Sequence, residues 1–282
     1  MSKKQRILAV VATVVVLIIG YFLFQFLTYV KTDNAQIQAN TVMLAPKVSG
    51  YVLKSDIKEG QKVKANDVLV EIDDRDYQNS LRQLKGELQA VQAQLKDAEN
   101  NYGRIAKLFK GDAVSQQQYD QAFANVSTIR ARNEALSAQV AQADLNIANT
   151  KIRAPVDGFI ARKSVEIGQL ATPGVPLIGF VSSTERWVMA NFKETDLENI
   201  RIGAKVDIDV DAIGAKSYQG IVESLSAATG ATFALLPPDN ATGNFTKVVQ
   251  RVPVRIKIIG VTPEDIELLR AGLSADVRVH KH

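Results

Sequence analysis

LRQLKGELQAVQAQLKDAENNYGRI, residues 81–105, decides how the rest of the chain is read. Its apolar positions are Leu81, Leu84, Leu88, Val91, Leu95, Ala98, Tyr102 and Ile105, in steps that alternate three and four. That is the a/d seam of a coiled coil. A second seam follows: Tyr119, Ala122, Val126, Ile129, Asn133, Leu136, Val140, Ala143 and Ile147. Between them lies Lys110-Gly111-Asp112-Ala113-Val114. Gly111 is placed to stop the first helix. Ser115 with Gln118 reads as a capping box that starts the second. Residues 75–150 therefore predict two long helices folded back on each other, each arm reaching roughly 50 Å at 1.5 Å per residue. Off the seam the residues are Gln, Asn, Lys, Asp and Ala. One narrow seam is a spacer that carries its tip away from a body, not a globular core.

The chain has 282 residues, 46% hydrophobic and 23% charged, enough for two ordinary folded domains. The net charge of +4 is dispersed, and no basic stripe is interleaved with aromatics, which argues against a nucleic-acid partner. Cysteine is absent, which excludes disulfides, thiol catalysis and cysteine-based zinc sites. His280 and His282 are the only histidines, which removes histidine triads and most transition-metal sites. No catalytic, cofactor-binding or metal-ligating residue is expected.

Ile7 to Leu27 is a run of about twenty apolar residues without a charge, long enough to cross a bilayer as a helix. Lys3, Lys4 and Arg6 precede it and only Lys31 follows closely, so residues 1–6 are expected in the cytoplasm and the bulk of the chain outside. A cleaved signal peptide is the competing reading. The run is long for one, and Phe26-Leu27-Thr28-Tyr29-Val30 offers no small-x-small cleavage site, which favours an uncleaved anchor at 7–27.

The flanks of the hairpin repeat each other. Gly50, Tyr51, Val52, Ile57, Gly60, Gln61 and Leu69 recur in register as Gly158, Phe159, Ile160, Val165, Gly168, Gln169 and Leu177. Each copy reads as short strands separated by a glycine turn. Two such halves are expected to bury one face against each other, with the glycines supplying tight turns. Asp73 and Asp74 could be taken for a catalytic carboxylate pair. At a helix start, carboxylates more simply cap free N–H groups and favour the dipole.

This pattern resembles the biotinyl/lipoyl carrier domain. In the carriers a hairpin between the halves presents a modified lysine. Here that place reads Glu71-Ile72-Asp73-Asp74-Arg75 and then the helices, so the lysine is missing. A lipoyl-like domain split by an α-hairpin behind one N-terminal anchor resembles the periplasmic adaptors, or membrane fusion proteins, of the HlyD/EmrA-like kind. Thr32-Asp33-Asn34-Ala35, Trp187-Val188-Met189-Ala190-Asn191-Phe192-Lys193-Glu194 and the long stretch Gly230 to Asn244 running into Lys247 to Ile256 carry the likeness. At the tip, Arg104, Leu108 and Ser115 look like the Arg-Leu-Ser motif by which such adaptors engage a TolC-type outer-membrane channel. Leu108 lies three beyond Ile105 and can simply continue the seam, and Ser115 can simply cap a helix. Arg104 lies off the seam.

Residues 183–282 read as alternating strands, Trp187 to Phe192, Lys205 to Val210, Gly220 to Leu225, Val248 to Ile258 and Ala275 to His280, punctuated by glycines. Glu194 to Glu198 reads as a helical turn. A strand around Ala35 to Leu44 is expected to close a small barrel. The loop from Gly230 to Phe245 is long for a hairpin. Its Phe233, Leu235, Leu236, Asn240 and Asn244 are candidate contacts for a transporter or a neighbouring subunit.

The expected fold is mixed α and β and elongated. It comprises the anchor, a lipoyl-like β-sandwich (45–73 and 152–182) split by the coiled-coil α-hairpin (75–150), and a β-barrel (31–44 and 183–282). The resemblance implies a non-enzymatic, inner-membrane-anchored adaptor that links a transporter of the major-facilitator type to a TolC-type channel for export of small toxic compounds. It also implies a homo-oligomer, a hexamer or trimer of dimers, because a single hairpin cannot enclose a conduit. Alternatives are an adaptor of an ABC-type polypeptide secretion system and a biotin/lipoyl carrier-like enzyme subunit.

Overall fold

The computed structural model describes residues 27–214, 216–230, 232 and 249–281, with Thr13, Val16, Leu17, Ile19 and Gly20. The anchor expected at 7–27 lies largely outside the described residues, among which no helix is long and apolar enough to cross a membrane. The chain forms two compact units, residues 42–180 and residues up to 41 with 181 onward. In chain order the elements are β1 (Tyr29–Gln38), β2 (Thr41–Leu44), β3 (Gly50–Lys54), β4 (Lys62–Val63), β5 (Val68–Ile72), α1 (Arg75–Lys110), α2 (Gln116–Ala148), β6 (Lys151–Arg153), β7 (Gly158–Lys163), β8 (Leu170–Ala171) and β9 (Ile178–Ser182). They continue with β10 (Trp187–Lys193), a 3-10 turn (Glu194–Asn199), β11 (Lys205–Val210), β12 (Ser217–Leu225), β13 (Arg251–Ile259), α3 (Pro263–Leu268) and β14 (Ser274–His280).

The sequence repeat becomes a sandwich of two four-stranded sheets, β2-β9-β7-β4 and β6-β5-β3-β8. The inward residues match copy for copy: Val52, Ile57, Leu69, Val70 and Ile72 are buried with Ile160, Val165, Leu177, Ile178 and Phe180. Each half closes its turn on the other. Gly60 N–H donates to Ile160 O at 2.7 Å, and Gly168 N–H donates to Val52 O at 2.8 Å. Ile160 N–H returns to Gln61 O at 3.0 Å, and Val52 N–H to Gln169 O at 2.9 Å. Inside each turn a glutamine side chain accepts a backbone N–H, Gln61 from Lys58 and Gln169 from Glu166. Because buried backbone groups must be paired, neither half can be satisfied alone.

Gly60 and Gly168 are the turn residues, at φ 79° and 84°. An added Cβ would meet nothing within 4 Å at either. The cost of alanine there is the left-handed backbone alone, roughly 1–2 kcal/mol. Gly60→Ala and Gly168→Ala are expected to lose that amount each, nearly equally, in chemical unfolding followed by circular dichroism. A large inequality would show that the two turns are not equivalent. Gly50 has another reason, contrary to the expectation of a turn: a Cβ there would stand 2.6 Å from Ile72 Cγ2.

The hairpin keeps its predicted seam, with Val91, Ala98, Ala122, Val126, Leu136 and Ala143 buried along it. Its base is tied to the sandwich by Tyr77 OH donating to Ser49 O at 2.7 Å and Ile72 N–H to Thr150 O at 2.9 Å. The helix start is capped one residue earlier than its N-cap position. Asp74 makes no side-chain cap bond. Asp73 accepts the Arg75 backbone N–H at 3.1 Å and the Arg75 guanidinium at 2.6 Å. These two contacts, the guanidinium first, hold the Asp73 carboxyl below its ordinary range.

The second unit is a closed barrel of order β1-β10-β13-β12-β11-β14. Ile37, Val188, Phe192, Ile208, Val254, Ile256 and Val277 fill its interior. The strand expected from Ala35 to Leu44 is in fact two. β1 runs between β10 and β14 in the barrel, whereas β2 pairs with β9 in the sandwich, so residues 42–44 leave the barrel. Helix α3 was not foreseen, although Thr262-Pro263-Glu264-Asp265 carries its signature, a capping box with proline at the first turn.

Asp265 is a buried node of this unit. Its carboxylate accepts from Lys216 Nζ at 2.5 Å, Tyr218 OH at 3.1 Å, and Thr262 N–H and Oγ1 at 3.0 and 2.8 Å. These donors, Lys216 foremost, hold its carboxyl well below the usual carboxylate range, while burial and then Asp265 itself push the Tyr218 phenol up to about 12. A depressed carboxyl stabilises the fold fully above its unfolded pKa of about 3.9, and loses that contribution as pH falls toward the folded value. The denaturation midpoint is expected to hold steady from neutral pH to mild acid and then fall. In Asp265→Asn the starting midpoint is lower and this acid limb is flattened. Trp187 fluorescence reads both.

Candidate functional site

The end of the hairpin is built from aromatic packing. Phe109 stacks on Tyr119 with ring centroids 4.9 Å apart, and Tyr102 lies 5.5 Å from Tyr119 and 5.8 Å from Phe123. The Tyr102 and Tyr119 hydroxyls are 2.8 Å apart, a bond that raises the Tyr102 pKa. Phe109, not Leu108, continues the seam. The three-four alternation through Ala98, Tyr102 and Ile105 in fact calls for position 109, and the expectation for Leu108 broke that rhythm.

The turn is a Schellman motif. Ala113 N–H donates to Leu108 O at 3.0 Å and Asp112 N–H to Phe109 O at 3.1 Å. The left-handed residue is Asp112, at φ 54°, while Gly111 keeps an ordinary φ of −99°. Gly111 is thus the last half-helical residue, not the left-handed stop. Ser115 caps α2 as predicted. Its Oγ accepts the Gln118 N–H at 3.3 Å, and Gln118 Oε1 accepts the Ser115 N–H at 3.1 Å.

The three candidate tip residues therefore differ in what they leave free. The Ser115 side chain is used within the turn. Leu108 is 49% exposed, which no role in the seam explains. Arg104 is exposed, and its guanidinium makes one bond, to Asn101 Oδ1 at 3.3 Å on its own helix. Arg104 and Leu108 share a helix face at i,i+4, and the turn returns the Ala113 N–H to Leu108 O two residues before Ser115. Phe123, 55% exposed, is a tip feature that the seam reading passed over, because it stands next to the seam residue Ala122. Phe233, Leu235, Leu236, Asn240 and Asn244 lie outside the described residues.

The barrel carries an open cleft of about 560 Å³ lined by Lys31, Thr32, Asp33, Lys193, Asp196, Asp209, Arg251, Asp276, Val277 and Arg278. Its charges balance, and Arg278 pairs with Asp209 at 2.6 Å. Thr32-Asp33-Asn34-Ala35 forms an irregularity in β1 beside it. Thr32 Oγ1 donates to Asn191 O at 2.9 Å and Asn191 Nδ2 to Asn34 Oδ1 at 3.0 Å. That stretch therefore has a structural role, pinning the bulge to β10. Among the described residues no group of three or more His, Asp or Glu is placed to hold a metal ion.

The family described as "RND MFP, barrel-sandwich hybrid domain" matches residues 40–181. The chain is 34% identical to "Multidrug export protein EmrA" of Haemophilus influenzae, over 92% of this chain and 78% of that one. It is 32% identical to "Colistin resistance protein EmrA" of Acinetobacter baumannii, over 92% and 89%. Among solved structures, "Structure of the periplasmic adaptor protein EmrA" superposes with TM-score 0.52 at 18% identity, covering 90% of this chain and 99% of that one. A membrane fusion protein from Streptococcus pneumoniae superposes with TM-score 0.63 at 14% identity, covering the same shares, a likeness of fold alone. With a sandwich built of two interlocked repeats, a hairpin inserted between them and a barrel beside them in sequence, the chain belongs to the membrane fusion proteins and, among these, to the EmrA-like periplasmic adaptors.

Proposed function

We propose that this adaptor serves multidrug efflux by linking an inner-membrane transporter of the major-facilitator type to a TolC-type outer-membrane channel, so that small toxic compounds leave without release into the periplasm. Residues 7–27 anchor it by a single span with residues 1–6 in the cytoplasm, and copies assemble as a hexamer or trimer of dimers around the conduit. The hairpin tip is the channel end. The supporting observation is the exposure of Leu108 and Arg104 on one face of the helix at a tip where Phe109 is taken up by the seam and Ser115 by the cap. The loop with Phe233, Leu235, Leu236, Asn240 and Asn244 is the proposed transporter or subunit contact. The chain works without catalysis, and energy comes from the transporter.

The absence of cysteine allows a direct test. Leu108→Cys is placed in the full chain, with Gln92→Cys, exposed on the same helix, as control. Crosslinking in intact cells is expected to capture an outer-membrane channel from position 108 and not from 92. Capture of only other copies of the chain from 108 would make the tip a self-assembly device instead. Position 108 suits this test better than 115, where cysteine would remove a helix cap worth about 1 kcal/mol.

A further inference from the structure

One end of the barrel holds the start of β1, which follows the N-terminal apolar run directly in sequence. β1 starts there at Tyr29, two residues after Leu27, and β14 ends there, with His280 opposite Tyr29. Tyr29 and His280 pack edge to face with centroids 4.7 Å apart, and Lys281 N–H donates to Thr28 O at 2.8 Å. On the next strand Val206 lies opposite Val279, so Lys205 stands level with His280. The turn before Lys205 projects beyond that level, two strands or about 10 Å from β1.

Ile202 occupies the apex of this turn and is 69% exposed, the highest value among the exposed large hydrophobics of the described residues. The turn is fixed. Ala204 N–H donates to Arg201 O at 3.1 Å, Gly203 N–H to Val222 O at 2.8 Å, and Val222 N–H to Ala204 O at 3.0 Å. Gly203 supplies its φ of 88°. These bonds hold the turn's backbone with Ile202 at its apex. The carboxylates of the same connection, Glu194, Asp196 and Glu198, all precede Ile200, and from Ile200 to Val206 the only charged residues are Arg201 and Lys205.

We propose that this end of the barrel rests on the bilayer that receives residues 7–27, with Ile202 entering the acyl boundary and Arg201 and Lys205 meeting anionic headgroups. An apolar apex flanked by cations has the composition of an interfacial contact, and a basic residue near an anionic surface adds attraction. The junction leaves almost no leash: with Tyr29 two residues beyond a span, the barrel end lies within a few residues' reach of the headgroups. An aromatic such as Tyr29 at that level suits the interface. The inference rests on the anchor reading.

The test uses the full chain with one cysteine carrying an environment-sensitive fluorophore, at Ile202→Cys or at Leu268→Cys. Leu268 is 54% exposed and precedes the opposite end of the barrel, where Gly272 N–H donates to Ile37 O. The protein is reconstituted in vesicles of phosphatidylethanolamine and phosphatidylglycerol and floated on a density gradient. The expected result is co-flotation of both variants, with blue-shifted emission and quenching by a lipid-borne nitroxide at 202 only. Arg201→Glu with Lys205→Glu, or replacement of both lipids by phosphatidylcholine, is expected to reverse the shift without loss of flotation. Co-flotation with 202 reading water overturns the inference and leaves the anchor intact. Loss of flotation overturns both. Lipid signals at 202 and 268 alike, or a signal at 202 only when a transporter is co-reconstituted, overturn the assignment of this surface to lipid.

Discussion

Arg104→Glu is expected to reduce drug resistance to that of cells lacking the chain while leaving the fold intact. The Arg104 side chain is exposed and bonded only to Asn101 on its own helix, at 3.3 Å. Surface contacts of that kind change stability within about 0.5 kcal/mol. Against a docking partner the balance is different. Truncating an arginine at the centre of an interface commonly costs 2 kcal/mol or more, roughly a thirtyfold loss of affinity, and reversing its charge adds repulsion. Leu108→Asp is expected to act likewise, since Leu108 is half exposed and Phe109, not Leu108, stacks on Tyr119 across the seam. Both variants should unfold at the wild-type temperature by circular dichroism and fail in susceptibility assays of complemented cells. Wild-type resistance from both would remove the tip from the docking role. Reduced resistance with a lowered unfolding temperature would make the effect one of stability.

The largest effect on stability is expected at Gly220→Ala. Gly220 lies on β12, opposite Val206 and Ile258 on the flanking strands, and its Cα faces the barrel interior. A Cβ there would stand 2.8 Å from Ile256 Cγ2, 2.8 Å from Lys257 O and 2.9 Å from Ile208 Cδ1. The two side chains can shift at some cost, but the carbonyl belongs to a paired strand and cannot move without disturbing the ladder. Overpacking of this kind costs about 1–3 kcal/mol, and the backbone contact puts Gly220 at the upper end. Trp187, the only tryptophan, is buried beneath the Arg255 guanidinium, whose carbon lies 4.0 Å from the ring centroid, and reports barrel unfolding directly. The denaturation midpoint read from its fluorescence should fall by the equivalent of about 3 kcal/mol. Adding Ile256→Val should recover only part of this, because the clash with Lys257 O remains. Full recovery would mean that the carbonyl is not the constraint.

Much of the architecture is legible in local pattern. The a/d steps identified both helices, Ser115 with Gln118 marked the start of the second, and the recurrence of Gly60-Gln61 as Gly168-Gln169 disclosed the two halves of the sandwich. The same rule, applied strictly, selects Phe109 over Leu108, and Thr262 to Asp265 carries the signal for α3. At the tip, the sequence marked Arg104 and Leu108 as candidates, but whether they stand free depends on where Phe109 and Asp112 go.

By itself the sequence determined the elements whose patterns arise from neighbours three, four or two residues apart: the helical seams, the caps and the alternation of the strands. Only the tertiary structure decided which strands meet. Nothing at Asn40 in the alternation signals that β1 ends in the barrel and β2 begins in the sandwich. That break is set by remote partners, among them Ser182 N–H, which donates to Asn40 O at 2.9 Å. The exchange of turn bonds between the repeats, the crowding that makes Gly220 necessary and the exposure of Ile202 have the same origin. Each depends on residues far apart in the chain, and pairing and packing across such separations leave no period for a single strand of sequence to display.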